Sequence, residues 1–271
     1  MLKTEQRNER TMHIDRMSTA EMVRVIQDEN IRAAMSVESE LGAIEAAIDG
    51  ISQRMKKGGR LFYVGCGTSG RLGVLDASEC PPTYGVSPDL VVGIIAGGDG
   101  ALRRAVEGAE DSCAFGYEDI SKHGLSELDS VVGISVAGGA QYVLGAFQKA
   151  KEVGALMIAL SCNEGCPMEQ VADICIHPDT GAEVITGSTR MKAGSAHKMI
   201  LNMISTAVMV KQGYVYENMM INLRPSNIKL RDRMIRILRE ITELPYEKCE
   251  ALLEENEFSL KKALKALEEK K

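Results

Sequence analysis

Tryptophan is absent from the 271 residues, and aromatic side chains together make up only 4%. So few rings on which bases can stack work against a binder of single-stranded nucleic acid. Any core must then be built from aliphatic residues and the 15 methionines. Positive charge is also short: 32 Lys and Arg against 38 Asp and Glu leave a net charge of −6. The broad attraction that a polyphosphate partner needs is therefore missing, although local backbone amides can still hold a small anion. No apolar run has the length of a membrane span; the best candidate, Met199 to Val210, is interrupted by Asn202, Ser205 and Thr206. No secretory leader pattern is seen, and the seven cysteines (Cys66, Cys80, Cys113, Cys162, Cys166, Cys175 and Cys249) are odd in number. A reducing, cytoplasmic compartment is expected rather than a disulfide framework. Cys162 and Cys166 lack the second pair or His cluster that would complete a zinc site, so no metal is expected.

What is present is an ordinary globular mixture, 45% hydrophobic and 26% charged. A polar head ends in Ser18-Thr19-Ala20-Glu21, a helix-start pattern. Apolar positions from Met22 to Met55 recur at helical spacing and predict two amphipathic helices, stopped by Gly58-Gly59. Short apolar runs follow at Leu61–Val64, Leu90–Ile95, Ser130–Ser135, Ala155–Leu160 and Ile174–Ile176, each expected to be separated from the next by a helix. That alternation predicts an α/β fold with a mostly parallel sheet covered on both faces, and ligands in such folds bind beyond the carboxyl ends of the strands. A long helix is expected from about Ser188 to Gln212, and three short charged helices after Arg224-Pro225, with turns near Leu244-Pro245 and Asn256. The expected division is residues 1–57 as N-terminal helices, 58–223 as the core domain, and 224–271 as a small three-helix unit.

Three segments could carry chemistry. Gly65-Cys66-Gly67-Thr68-Ser69-Gly70-Arg71 lies between a strand and a helix, where glycines let backbone amides approach an anion and the helix terminus adds partial positive charge. A dinucleotide reading of this GxGxxG pattern needs an acid at the end of the next strand, whereas Asp99 comes only in the following loop. A plain structural turn remains the bland alternative; the hydroxyls of Thr68 and Ser69 favour a phosphate or a sugar. The second segment is a set of carboxylates: Glu79, at a helix end that Pro81 and Pro82 are expected to stop, and Glu107 with Glu110, expected to share a helical face. Mutual repulsion at that spacing can raise one pKa into a range useful for proton transfer, but such acids are more often solvated, and residue pattern alone does not single them out. Third, Ser188, Thr189, Arg190 and Lys192 gather hydroxyls and cations at a helix start, again suited to an anion or to sugar hydroxyls. The bland reading there is a capped helix with Ser188 or Thr189 as the cap. Of the four histidines only His197 is placed to face a ligand, and a buried, satisfied role is the simpler reading.

The stretches Gly67–Pro82, Ile95–Gly98, Ala105–Asp111 and Thr186–Gly194 are similar to the N-acetylmuramic acid 6-phosphate etherase family of the sugar isomerase (SIS) fold. So are Ile14-Asp15 with Ser18-Thr19, Ser161-Cys162-Asn163 and Leu201-Asn202-Met203, in collinear order over nearly the whole chain. The resemblance implies a flavodoxin-like parallel sheet sandwiched by helices and a sugar-phosphate substrate. The implied reaction removes D-lactate by elimination and then adds water, with no cofactor. It makes Glu79 the acid that protonates departing lactate and Glu110 the base. Substrate contacts are then expected from Gly67, Thr68, Ser69, Arg71, Ser135, Gly138, Gly139, Ser188, Thr189, Arg190 and Lys192. Ten helical residues past Ser69, Glu79 would stand about 15 Å along the axis from its own loop. A bend near Gly73 or a site completed by a second subunit would resolve this, and a homodimer with a shared site is expected. One departure is plain: related etherases carry Ser-Gly-Arg-Thr-Pro where this chain has Ala137-Gly138-Gly139-Ala140-Gln141. The glycine amides could still form an anion nest. The departure also keeps open a non-catalytic sugar-phosphate sensor akin to the glucokinase regulatory protein, beside an aldose–ketose isomerase.

Overall fold

A computed structural model describes residues 2–223, 225 and 228–268. The expected boundary at Arg224, Asn227 and the Lys/Glu-rich end beyond Glu268 lie outside the described residues. The chain divides into two compact units. One runs through Ser78 and from Asp89 to Val208; the other takes Glu79–Pro88 and the chain from Met209 onward.

The first unit opens with an arm of short 3-10 turns at Lys3–Glu5, Glu9–Thr11 and Ile14–Arg16. Helix α1 (Thr19–Met35) starts where the sequence pattern places it, because Ser18 and Glu21 close a capping box: the Ser18 amide donates to Glu21 Oε2 at 2.7 Å. Helix α2 (Leu41–Met55) buries Ile44, Ala47, Ile48, Ile51 and Met55, one face at helical spacing. Five parallel strands follow: β1 (Leu61–Gly65), β2 (Val91–Ile95), β3 (Ser130–Ile134), β4 (Leu156–Leu160) and β5 (Ile174–Ile176). They are ordered β2-β1-β3-β4-β5. Every residue of β1, β3 and β4 is buried, as a sheet covered on both faces requires. The unit's remaining α-helices are α3 (Gly67–Tyr84), α4 (Cys113–Ser121), α5 (Gln141–Val153) and α6 (Lys192–Lys211), α3 and α6 ending in the second unit. Gly116 of α4 and Gly145 of α5 let these helices meet backbone to backbone. A β-carbon on either would fall 1.8 Å from a carbonyl oxygen of the other helix.

Three local expectations give way. Helix α3 does not stop at Pro81 and Pro82 but runs through both to Tyr84. Prolines remove two amide donors, yet the turn beyond them still closes, the Gly85 amide donating to the Pro81 carbonyl at 2.9 Å. Glu107 and Glu110 sit in turns rather than on one helical face, because Gly108 between them takes a φ of 74°. No helix separates β4 from β5; residues 161–173, with Gly165 and Pro167, form turns instead.

In the second unit β6 (Val215–Tyr216) and β7 (Met219–Met220) form a small antiparallel pair. Helices α7 (Ile228–Thr242), α8 (Tyr246–Glu255) and α9 (Leu260–Glu268) follow, with turns at Leu244-Pro245 and Asn256. Their amphipathic faces enclose a core of their own around Met234, Leu238, Cys249, Leu253, Leu260 and Ala263.

Asp129, buried just before β3, ties that strand to β1: it accepts from the Arg60 amide at 2.7 Å, Arg60 Nη2 at 3.0 Å and the Ser126 amide at 2.8 Å. Burial pushes its carboxyl up, but these donors and the Arg60 charge outweigh it and hold the group below the usual carboxylate range. Asp129→Asn should cost about 2–4 kcal/mol at neutral pH, as expected for breaking a buried charged network. A lowered folded-state pKa means that this contribution is full above the unfolded value of about 3.9 and fades as pH falls through the folded one. Urea midpoints of variant and wild type should therefore converge in acid; a gap unchanged at pH 2 would contradict this.

Candidate functional site

The site begins where β1 becomes α3. A β-carbon on Gly65 would lie 2.8 Å from the Gly70 nitrogen, and one on Gly70 would lie 2.6 Å from the Gly65 carbonyl oxygen. Gly67 takes a φ of 51°. Only this glycine spacing lets the strand end and the first helical turn close so tightly. The first amides of α3 have no acceptor within the helix, and the macrodipole adds partial positive charge where they point. Thr68 and Ser69 bring hydroxyls to the same turn.

Two further loops converge on it. After β3, Ser135 is buried, and its carbonyl and hydroxyl oxygens accept from the Gly138 amide at 2.9 and 3.2 Å. Ahead of α6, Gly194 packs so that a β-carbon on it would lie 3.5 Å from Thr68 Cγ2. A cleft of about 280 Å³ lies among these loops, lined by Gly67, Thr68, Ser69, Ser135 and Thr189 together with Cys66 and Glu110. Glu110 is held there by its backbone, whose carbonyl accepts from the Tyr142 amide in the first turn of α5 at 2.9 Å. Burial, and then the negative charges of Glu110 and Asp111, push the Cys66 thiol up to about 12. The sulfur facing this cleft is therefore a neutral thiol at physiological pH and no nucleophile. What the cleft offers is an anion-binding turn, hydroxyls and a carboxylate: equipment for holding a phosphorylated polyol and moving a proton.

Other candidate residues stand elsewhere. Arg71 turns its guanidinium onto the Ala101 and Leu102 carbonyls at 2.7 and 2.9 Å, bracing the turn after β2. Gly138 spends its amide on Ser135, as above, and a β-carbon on it would strike Cys166 Sγ at 2.3 Å. Gly139, Ser188 and Arg190 do not line the cleft, and Arg190 is exposed. Glu79 is exposed on α3, belongs to the second unit, and is likewise absent from the cleft lining.

The helix start at Lys192 carries the largest surprise. Neither Ser188 nor Thr189 caps α6; Glu183 does, its fully buried carboxylate accepting from the Lys192 and Ala193 amides at 3.0 Å each. The protein's own anion fills the place where a ligand anion was expected. Lys192 itself is 3% exposed, with its ammonium on the buried Glu29 carboxylate and on the Ala182 carbonyl at 2.8 Å. Burial alone would lift the Glu29 carboxyl. Hydrogen bonds from Lys192 and Asn8 and the charges of Lys192 and Arg10 outweigh it and hold it low. A larger hollow of about 620 Å³ beside this pair is lined by Arg7, Arg10 and Arg32, but Arg10 and Arg32 are turned onto Glu29.

His197 is fully buried, 3.3 Å from Cys162 Sγ, and burial lowers its pKa to about 4, so it is a neutral packing residue. Among the described residues no cluster of three His, Cys, Asp or Glu side chains could hold a metal ion, and no helix is long and apolar enough to cross a membrane. Sequence reasoning missed Glu5, which lines the cleft from the N-terminal arm. Nothing in a charged, polar head distinguishes one acid from its neighbours, so no pattern could have found it.

Comparison with known proteins bears on the family and the fold. The family model of the glucokinase regulatory protein N-terminal SIS domain matches residues 43–151. An N-acetylmuramic acid 6-phosphate etherase from Caldanaerobacter subterraneus subsp. tengcongensis is 54% identical over 97% of this chain and 86% of its own length. One from Salmonella agona is 48% identical over 97% of this chain and 89% of its own. Among solved structures, the phosphoheptose isomerase of Neisseria gonorrhoeae superposes with a TM-score of 0.54 at 19% identity, over 70% of this chain and 98% of that one. That of Francisella tularensis gives 0.54 at 17% identity, over 71% and 98%. At such low identity these two carry the fold alone: a SIS-type parallel sheet flanked by helices.

The buried Glu29–Lys192 pair predicts a structural, not a ligand-binding, phenotype. Lys192→Met should lower the unfolding free energy by about 3 kcal/mol, while adding Glu29→Leu should recover most of that loss. Denaturation curves of the single and double variants check this; unaltered stability with a raised KM would make Lys192 a substrate ligand instead.

Proposed function

Because the chain belongs to the N-acetylmuramic acid 6-phosphate etherase family, we propose that it cleaves the D-lactyl ether of N-acetylmuramic acid 6-phosphate, giving N-acetylglucosamine 6-phosphate and D-lactate. The observation that carries the reading at the site is the meeting, in one cleft, of the Gly67–Ser69 turn with Glu110. Relatives at about half identity over nearly the full length bear the etherase name, which weighs against the sensor and isomerase readings.

In this reading the phosphate sits on the free amides at the start of α3 and on the hydroxyls of Thr68, Ser69 and Ser135. Since the Gly138 amide is already engaged, the first turn supplies most of the hold that the altered loop after β3 does not. In the ring-opened sugar the aldehyde acidifies the proton on C2. Glu110 takes that proton, the electron pair forms the C2–C3 double bond, and the C3–O bond to lactate breaks. Glu79 gives its proton to the departing lactate oxygen. Water then adds at C3 and a proton returns to C2, which restores both carboxyl groups. No redox step arises, and the chemistry calls for no cofactor.

Helix α3 runs without a break from Gly67 to Tyr84, so its rise carries Glu79 about 15 Å from Ser69. We therefore assign Glu79 to the cleft of a second copy, making a homodimer with two shared sites. All seven cysteines are free, as suits a reducing cytoplasm, where the reaction would serve the catabolism and recycling of cell-wall amino sugars.

Purified protein incubated with N-acetylmuramic acid 6-phosphate should release D-lactate, and Glu110→Gln should lower kcat by about a hundredfold or more without unfolding the chain. Glu79→Gln should do the same. Mixing the two inactive variants under subunit exchange should restore roughly a quarter of wild-type activity, since heterodimers carry one intact shared site. A mixture as inactive as its components would refute the shared site, and a wild type that releases no lactate would refute the etherase assignment.

A further inference from the structure

Asn163 fastens the start of the N-terminal arm to the rim of the cleft, while Asn8 and Thr11 anchor the arm further along on the Ala182 and Val184 carbonyls. Asn163, 4% exposed in the segment after β4, donates from Nδ2 to the Val136 carbonyl at 2.9 Å and to Thr4 Oγ1 at 3.1 Å. Its Oδ1 accepts from the Lys3 amide at 3.1 Å. Thr4 is fully buried by this clasp. The next residue, Glu5, reaches the cleft that holds Thr68, Ser69, Glu110 and Ser135. Its Oε2 comes 3.5 Å from where a β-carbon on Gly187 would sit, so Gly187 leaves room for the carboxylate. No cation or other donor satisfies that carboxylate among the described residues.

We propose that Glu5 contacts the substrate, its carboxylate accepting hydrogen bonds from hydroxyl groups of the phosphorylated sugar, and that Asn163 is the positioning residue that holds it there. The chemistry of the cleft argues for this. An ionised carboxylate only accepts hydrogen bonds, so among the groups of a sugar phosphate it pairs with hydroxyls and repels the phosphate. Bonds from a hydroxyl to a charged acceptor are the stronger kind. With amides at one part of the cleft and two carboxylates, Glu5 and Glu110, at others, the phosphate has one favourable place and the substrate's second anion, the lactyl carboxylate, is kept away from Glu5, so the ligand has one favourable orientation. That orientation sends the phosphate to Gly67–Ser69 and the carbon chain toward Glu110. The proposal rests on the etherase reading and extends it to a residue outside the acid–base pair.

Glu5→Gln keeps the shape of the side chain and tests the charge. Michaelis parameters for N-acetylmuramic acid 6-phosphate and calorimetric binding of N-acetylglucosamine 6-phosphate would be measured on the full chain, with thermal melts as a folding control. We expect KM and the product Kd to rise about ten- to hundredfold, with kcat within about threefold and the melt unchanged. Asn163→Ala should shift KM in the same direction, and the double variant should be no worse than the poorer single one, because both changes remove one interaction. Wild-type KM and Kd in Glu5→Gln would overturn the proposal, as would fully additive effects in the double variant. Binding separates the two readings. If wild type binds the sugar phosphate without releasing lactate, and Glu5→Gln binds it more weakly, the etherase assignment fails and the role of Glu5 stands. A wild type that does neither overturns both.

Discussion

Where β1 hands over to α3, the Gly65 carbonyl and the Gly70 backbone stand so close that a single β-carbon on either would collide with the other. That contact sets the direction of α3, and with it the direction in which the helix's unpartnered amides face. It also places Thr68 against Gly194, which brings the loop ahead of α6 to the same point. The rest of the cleft is arranged around these amides: β3 delivers Ser135 because it lies next to β1 in the sheet, and the first turn of α5 anchors the backbone of Glu110. A parallel sheet makes this convergence natural, since all its strands end on one side.

Charge then decides which of several similar-looking places remains open to an anion. The starts of α3 and α6 both present free amides and hydroxyl residues, and by helix electrostatics alone they are equivalent. They differ because the Glu183 carboxylate takes the amides of the second, and no side-chain anion among the described residues does so at the first. The cations nearby are likewise spent within the protein. Lys192 neutralises Glu29, which Arg10 also contacts, and Arg71 braces a backbone turn. An anion held at α3 is thus bound by dipoles and hydroxyls rather than by a guanidinium, in keeping with a chain whose net charge is −6. Buried charges are tolerated here only where partners surround them, as at Glu29 and Asp129.

The parts of the fold that were legible share a short-range cause. Strands β1, β3 and β4 were visible because each is a continuous apolar run bounded by glycines or polar turns. The start of α1 was visible because a capping box is a pattern four residues long. Where reading failed, a local rule met a competing one. Proline removes helical donors, yet α3 persists past Pro81 and Pro82. Glu107 and Glu110 have helical spacing, yet Gly108 turns the chain between them. Residues 161–173 were expected to form a crossover helix, but turns suffice to bring β5 alongside β4.

By itself the sequence determined the order of the five parallel strands, the glycine turn that can face an anion, and the family to which the chain is similar, because each of these is written in neighbouring residues. Tertiary structure alone decided what those residues face. Nothing in the spacing of Glu183 and Lys192 says that one caps the helix containing the other, or that Glu29, far away in the chain, would claim the Lys192 ammonium. Nor does the polar head announce that Asn163 will clasp Thr4 and bring Glu5 to the cleft. Partners separated by more than a hundred residues meet only when the sheet and its helices are packed, and a lone charged residue carries no local mark of the partner it will find.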